Sequence, residues 1–198
     1  IWLVDCPSLF NRGTDPYRDV YGAEFGDSAL RFGIFSEAVA QLALGAAGWQ
    51  PDVVHLHDWH TGLAAAWLFE QRQLQPKAPI PRILFTVHNL AHHGLFEAQT
   101  LTQLGLPLHW WHVDGIEFYG QLSFMKAGLQ FSDMITTVSP TYAREIQTLE
   151  YGYGLDGVLR APFIQRGFRL GVITTDWALQ PDLPIAAPAS SHARPERK

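Results

Sequence analysis

The chain has 198 residues, 14 Lys plus Arg against 19 Asp plus Glu, a formal net charge of −5, and 47% hydrophobic against 17% charged residues. That composition forms a core and excludes a disordered chain, and the acidic balance excludes the basic patch that a nucleic acid or an anionic membrane requires. The length suits one domain, or two at most, while the single cysteine, Cys6, excludes an internal disulfide framework and fits a reducing compartment.

Ile1–Val4 reads as a buried strand rather than a signal peptide, and it ends at Asp5-Cys6-Pro7. The stretch Asn11-Arg12-Gly13-Thr14-Asp15-Pro16 is punctuated as a turn. From about Phe25 to Ala47, the residues Leu30, Ile34, Ala38 and Leu42 recur every fourth position and predict a helix, with Gly48 as its stop. Val53–His57 is the next strand, followed by a helix over Thr61–Leu74, a loop broken by Pro76, Pro79 and Pro81, and a strand over Ile83–Val87. The longest charge-free stretch, Ala98–Val113, is interrupted by Gln, Thr, His, Gly and Pro, so no membrane span is expected. Leu122–Phe131 reads as a helix and Met134–Val138 as a strand. Ser139-Pro140 then opens a helix, with Ser as N-cap and Pro at the first helical position, and Arg169–Ile173 is a last strand. The end of the chain, 177–198, reads as an unpacked Pro-rich basic tail after a domain over 1–176.

Strand–helix alternation with runs buried on both sides predicts an α/β fold with a parallel sheet covered by helices on both faces. In such folds ligands sit beyond the carboxyl ends of the strands. That rule selects His57-Asp58, His88-Asn89 and Ser139.

The densest polar cluster is His55-Leu56-His57-Asp58-Trp59-His60. Strand alternation puts His55 and His57 on one face, within reach of a shared metal. A dinuclear zinc hydrolase would use a similar run with one more residue before the Asp, so the spacing favours no metal. The plainer reading has His55 as a satisfied core histidine and Asp58 as the cap of the next helix. As a ligand group, Asp58 has the strongest case in the cluster, because a carboxylate at a strand end accepts hydrogen bonds from hydroxyls. The second cluster, Thr86-Val87-His88-Asn89-Leu90, offers donors and acceptors that suit a polyhydroxylated ligand; equally, it is a polar turn bonding its own backbone. His92 and His93 read as solvated loop residues, and most of the aromatics around Trp110-Trp111 and Phe118-Tyr119 as core. The run Tyr151-Gly152-Tyr153-Gly154-Leu155-Asp156-Gly157 is Gly-rich but matches no phosphate-binding loop.

Taken in order, these clusters resemble the bacterial glycogen synthase and plant starch synthase family. The resemblance is carried by Asp5-Cys6-Pro7 with Pro16-Tyr17, by Asp52 to Leu63 (DVVHLHDWHTGL), and by Phe85-Thr86-Val87-His88-Asn89-Leu90-Ala91. It continues through Gly115-Ile116-Glu117-Phe118, Ser123 to Leu129 (SFMKAGL), and Thr137 to Ile146 (TVSPTYAREI). The resemblance implies a hexosyltransferase that moves glucose from ADP-glucose to the non-reducing end of an α-1,4-glucan such as glycogen, with retention and without a metal or other cofactor. It implies the N-terminal, acceptor-side half of a fold of two Rossmann-like domains (GT-B type). His88 would contact the donor glucose at the reacting centre and Asp58 would line the sugar subsite as the catalytic pair. Asn89 and Tyr17 would bind substrate, Tyr17 in the acceptor cleft. Lys126, Ser139, Tyr142 and Arg144 match family positions too, with a structural role equally open. Nucleic acid and membrane are not expected partners, and the implied compartment is the cytoplasm, or the plastid stroma in a plant.

The departures are a Lys-x-Gly-Gly-Leu donor loop that the family carries before the position of Ile1, and a C-terminal domain bearing Arg and Lys for the diphosphate. The sequence holds neither, so the expectation is a partial domain that is inactive alone. A non-catalytic α-glucan-binding module is the alternative, with a zinc hydrolase behind it.

Overall fold

The computed structural model describes residues 2–13, 15–160 and the backbone of 171–172. In chain order the elements are α1 (Pro7–Phe10), α2 (Ser28–Ala43), β1 (Val53–His57), a 3-10 turn (Trp59–Thr61) leading into α3 (Gly62–Leu74), β2 (Arg82–Val87), β3 (Leu95–Glu97), α4 (Thr100–Gln103), β4 (Glu117–Phe118), β5 (Gln121–Ser123), α5 (Phe124–Phe131), β6 (Met134–Thr137), α6 (Pro140–Glu145), α7 (Asp156–Arg160) and β7 (Gly171–Val172).

Four strands form one parallel sheet in the order β1-β2-β6-β7. This is the expected Rossmann-like α/β arrangement, each parallel step needing a crossover. Its register sets Val53 beside Arg82 and His57 beside Thr86, and on the next strand Thr86 beside Thr136. One face carries Val54, Leu56, Ile83, Phe85, Val87, Ile135 and Thr137, all buried. Helix α5 meets this face so closely that a Cβ on Gly128 would lie 2.2 Å from the Phe85 ring. Helix α3 meets α5 in the same way, since a Cβ on Gly62 would lie 1.8 Å from the Phe124 carbonyl oxygen. Both glycines are therefore close-approach residues, Gly62 admitting the α5 backbone and Gly128 the Phe85 ring of the sheet.

Several expectations are corrected. Trp2–Val4 is not a buried strand: it pairs with no strand among the described residues, and Leu3 is 86% exposed. Burial on both sides holds for the carboxyl half of β2, where Phe85, Thr86 and Val87 are consecutively buried, and for Ile135, Thr136 and Thr137 of β6; β1 alternates, exposing Val53, His55 and His57. Helix α2 exists, but it buries Phe32, Gly33, Ser36, Ala40 and Ala43 rather than the Leu30 stripe, and Leu30 is 42% exposed. The reason is Arg31, which buries its stem, donates to the Pro16 carbonyl at 2.8 Å and lies over the Phe25 and Phe32 rings, rotating the inward face. The helix stops at Gly45 instead of Gly48: Gly45 has φ 97°, and the N–H groups of Gly45 and Ala46 return to the carbonyls of Leu42 and Gln41.

Leu122 does not open a helix. It pairs with Phe96 in an antiparallel sheet of order β3-β5-β4 that sequence periodicity does not show, because its strands are two or three residues long. Helix α5 starts one residue after Ser123, whose Oγ accepts from the Lys126 N–H at 3.1 Å. Ser139 caps α6 as expected, its Oγ accepting from the Tyr142 N–H at 3.0 Å, with Pro140 at the first position. The aromatic run is mainly core at Trp110, 2% exposed, whose indole donates to Glu70. Of the expected last strand, Gly171–Val172 forms β7, while its other residues and the expected tail at 177–198 lie outside the described residues. No helix among the described residues is long and apolar enough to cross a membrane.

Candidate active site

The site is built where β1 and β2 end. Asp58 follows β1 directly; its N–H extends the ladder to the Thr86 carbonyl at 2.9 Å, and its backbone turns sharply, at φ 54° and ψ −177°. That turn carries the carboxylate sideways instead of onto the next helix. Asp58 makes no helix cap, contrary to the plainer sequence reading. Its Oδ1 accepts from the His88 N–H at 2.8 Å and from the Asn89 N–H at 3.4 Å, joining the ends of adjacent strands.

The 88–91 turn is held from three further sides. The Tyr142 hydroxyl accepts from the Leu90 N–H at 2.8 Å, Thr137 Oγ1 donates to the Val87 carbonyl at 2.7 Å, and Asn89 Oδ1 accepts from the Ala91 N–H at 3.1 Å. Asn89 thus makes the self-bonded polar turn as well as standing at the site. The His88 ring meets His57, Nε2 to Nδ1, at 3.0 Å.

Tyr17 comes from the segment before α2. Its hydroxyl lies 2.8 Å from His60 Nε2, and His60 stacks on Trp59, so the tyrosine reaches the strand ends through the 3-10 turn. Burial, the Asp58 carboxylate and Asp15 push the Tyr17 hydroxyl up from its ordinary value. Asp58, His88, Asn89 and Tyr17 are thereby brought to one edge of the sheet.

His55 and His57 share a face as expected, ring centroids 4.1 Å apart, and His55 Nε2 lies 2.6 Å from Thr86 Oγ1. Burial first, then the neighbouring imidazoles, hold both rings below the ordinary histidine value. Among the described residues no group of three His, Cys, Asp or Glu is placed to hold a metal ion. His93 is not a solvated loop residue: it is 8% exposed, edge-on to Phe118. Lys126 is buried, its ammonium donating to the carbonyls of Val113 and Glu117, and so fastens the loop before β4 to α5. Burial lowers its pKa, against the pull of Glu117 and Asp114.

Sequence reading missed the roles of His57 and His60 as supports, and left a structural role open for Tyr142, which the bond to Leu90 gives it. All three stand inside the motifs that carry the resemblance, but only the fold brings them to their partners: the β1–β2 pairing sets His57 near His88, and helix α6 sets Tyr142 beside Leu90.

Fold and site together define a Rossmann-like α/β domain with the candidate site at the carboxyl end of its parallel sheet, the end where such folds take their ligands. The family model for the starch synthase catalytic domain matches residues 1–161. The chain belongs to that family. It is 47% identical over 192 residues to a glycogen synthase of Cellvibrio japonicus, covering 94% of this chain and 38% of that one. With a glycogen synthase of Variovorax paradoxus it shares 50% over 162 residues, 80% of this chain and 32% of the relative. Among solved structures it resembles the catalytic domain of starch synthase IV from Arabidopsis thaliana bound to ADP and acarbose, with TM-score 0.63 and 33% identity, over 77% of this chain and 31% of that one. The chain therefore spans less than two fifths of the length of these relatives.

Proposed function

We propose that this chain is the acceptor-side half of an ADP-glucose-dependent glucosyltransferase, a glycogen or starch synthase of GT-B type that extends the non-reducing end of an α-1,4-glucan with retention. The observation that carries the reading is the His88-Asn89 turn, fixed by Asp58, His57 and Tyr142 at the strand ends with Tyr17 beside it. A turn held from so many sides presents its polar groups at fixed positions, which is what recognition of sugar hydroxyls requires.

In this reading His88 and Asp58 face the reacting sugar. Asp58 Oδ1 is occupied by backbone N–H groups, and Oδ2, which takes no hydrogen bond among the described residues, remains for a hydroxyl. Asn89 offers its amide nitrogen, and Tyr17 its ring face and hydroxyl to the acceptor chain. ADP-glucose is a substrate, and the scheme uses no resident metal or cofactor. The residues gathered here bind and orient; the groups that hold Asp58, His88 and Asn89 are backbone N–H groups and an imidazole. A leaving diphosphate builds negative charge that preorganised cations must stabilise, and the family's cations belong to the second domain. The 198-residue chain alone is therefore expected to transfer no glucose. The compartment proposed is the cytoplasm, or the stroma for a plastid enzyme.

The test is a chimera in which this segment replaces its counterpart in the Cellvibrio japonicus glycogen synthase, assayed for incorporation of labelled glucose into glycogen. Activity that falls at least about 100-fold on His88→Ala supports the reading. A folded chimera without activity, or one indifferent to His88→Ala, contradicts it.

A further inference from the structure

The strand register places a column of side chains under His88. Thr136 Oγ1 lies 2.7 Å from Thr86 Oγ1, which lies 2.6 Å from His55 Nε2. Thr136 and Thr86 are buried, so the column is anchored inside the sheet. The His55 ring supports the His57 ring at 4.1 Å, and His57 Nδ1 lies 3.0 Å from His88 Nε2. His88 is thus held at two points, its backbone N–H by Asp58 and one ring nitrogen by His57. Nδ1 takes no hydrogen bond among the described residues.

We propose that His57 is a positioning residue that fixes the tautomer of His88, accepting the His88 Nε2–H on its own Nδ1 and so leaving His88 Nδ1 as an acceptor for a sugar hydroxyl. The inference rests on the reading of His88 as a sugar-contacting group. Its chemistry follows from the pairing itself. Two neutral imidazoles facing nitrogen to nitrogen share one proton, so one donates and the other accepts. With His88 as donor both rings keep the Nε2–H tautomer that free histidine favours. Burial and the neighbouring His88 ring outweigh the Asp58 carboxylate at His57, so His57 is neutral at neutral pH and available as acceptor. Without it the His88 ring would be free to turn and to exchange tautomers, and whenever Nδ1 carried the proton a hydroxyl donor would meet an N–H.

The test uses the 198-residue chain labelled with 15N, with long-range 1H–15N correlations of the imidazoles at mildly alkaline pH. His88 in the wild type is expected as a single Nε2–H tautomer. In His57→Phe it becomes an exchanging mixture, and in His57→Asn, whose carbonyl oxygen stands where Nδ1 stood, the single tautomer returns. The Val54 and Leu56 amide signals report that β1 is intact in each variant. In glycogen-containing gels His57→Phe is expected to be retarded about fivefold less than wild type, with recovery in His57→Asn. A mixture already present in the wild type, a His88 spectrum unchanged by His57→Phe, or retardation indifferent to the loss of the tautomer would each overturn the proposal. If the tautomers behave as expected while the wild type shows no retardation, the glucan reading fails and the His57–His88 pairing stands.

Discussion

The Asp58 carboxylate accepts a 2.8 Å hydrogen bond from the His88 backbone N–H, across the gap between two adjacent parallel strands. To make that contact Asp58 adopts φ 54°, a backbone region that costs a non-glycine residue about 1–3 kcal/mol. The carboxylate and the strain are therefore linked: the bond to His88 holds the residue where it would not otherwise rest. Replacing Asp58 by Ala removes a charged acceptor and leaves the strain, and is expected to cost about 2 kcal/mol. Asp58→Gly loses the same bond but relaxes the backbone, so it should be more stable than Asp58→Ala by about 1 kcal/mol. Urea unfolding of the two variants measures the difference; equal midpoints would show that no strain is stored there.

Close helix approach gives a sharper stability test. A Cβ at Gly62 would meet the Phe124 carbonyl oxygen at 1.8 Å, and backbone cannot move aside as a side chain can. Gly62→Ala is expected to destabilise by about 3 kcal/mol or more, by forcing α3 away from α5. Gly157, in α7, has open space around its would-be Cβ, and there Gly157→Ala should stabilise by about 0.5 kcal/mol through helix propensity. Thermal unfolding of both variants against wild type checks the opposite signs.

Acid should destabilise the chain in two windows. Burial holds His55, His57, His60 and His93 below the ordinary histidine value of 6.5, so the folded form keeps them neutral while the unfolded chain takes up protons. Their contribution is complete above 6.5 and is lost as pH falls from there to the folded-state values. His93, 8% exposed and with Nδ1 unpartnered among the described residues, should carry much of this slope, and His93→Phe should flatten it. The second window belongs to Asp133. Burial raises its pKa, but paired bonds from Arg72 at 2.7 and 2.8 Å, the Ile83 N–H and Arg82 outweigh burial and hold it below 3.8. Its contribution is present above 3.8 and lost as pH falls through the folded value, and Asp133→Asn should remove it. Unfolding free energy against pH for the three proteins checks both; a wild-type profile that stays flat as pH falls from 6.5, or that is flat below 3.8, would contradict the account.

Much of the sheet was legible because β1, β2 and β6 are short apolar runs ended by polar residues, and the strand-end rule then selected Asp58, His88 and Asn89 directly. What failed did so for nonlocal reasons. The Leu30 stripe follows helical period, yet a buried arginine chose a different inward face. Asp58 stands where an N-cap belongs, and only the neighbouring strand reveals a better partner in the His88 N–H. The contact of His57 with His88 was hidden, because alternation along one strand, which pairs His57 with His55, is visible in sequence and register between two strands is not. The antiparallel β3-β5-β4 sheet escaped for a simpler reason, since strands of two or three residues carry no period to read.

The central claim is that the edge built from Asp58, His88, Asn89 and Tyr17 receives an α-1,4-glucan. Affinity electrophoresis of the 198-residue chain through gels with and without glycogen tests it most directly. The account predicts retardation of the wild type that falls at least about tenfold in Tyr17→Ala and in His88→Ala, each variant checked for native unfolding behaviour. Wild-type migration unaffected by glycogen, or retardation that both variants retain in full, would contradict it.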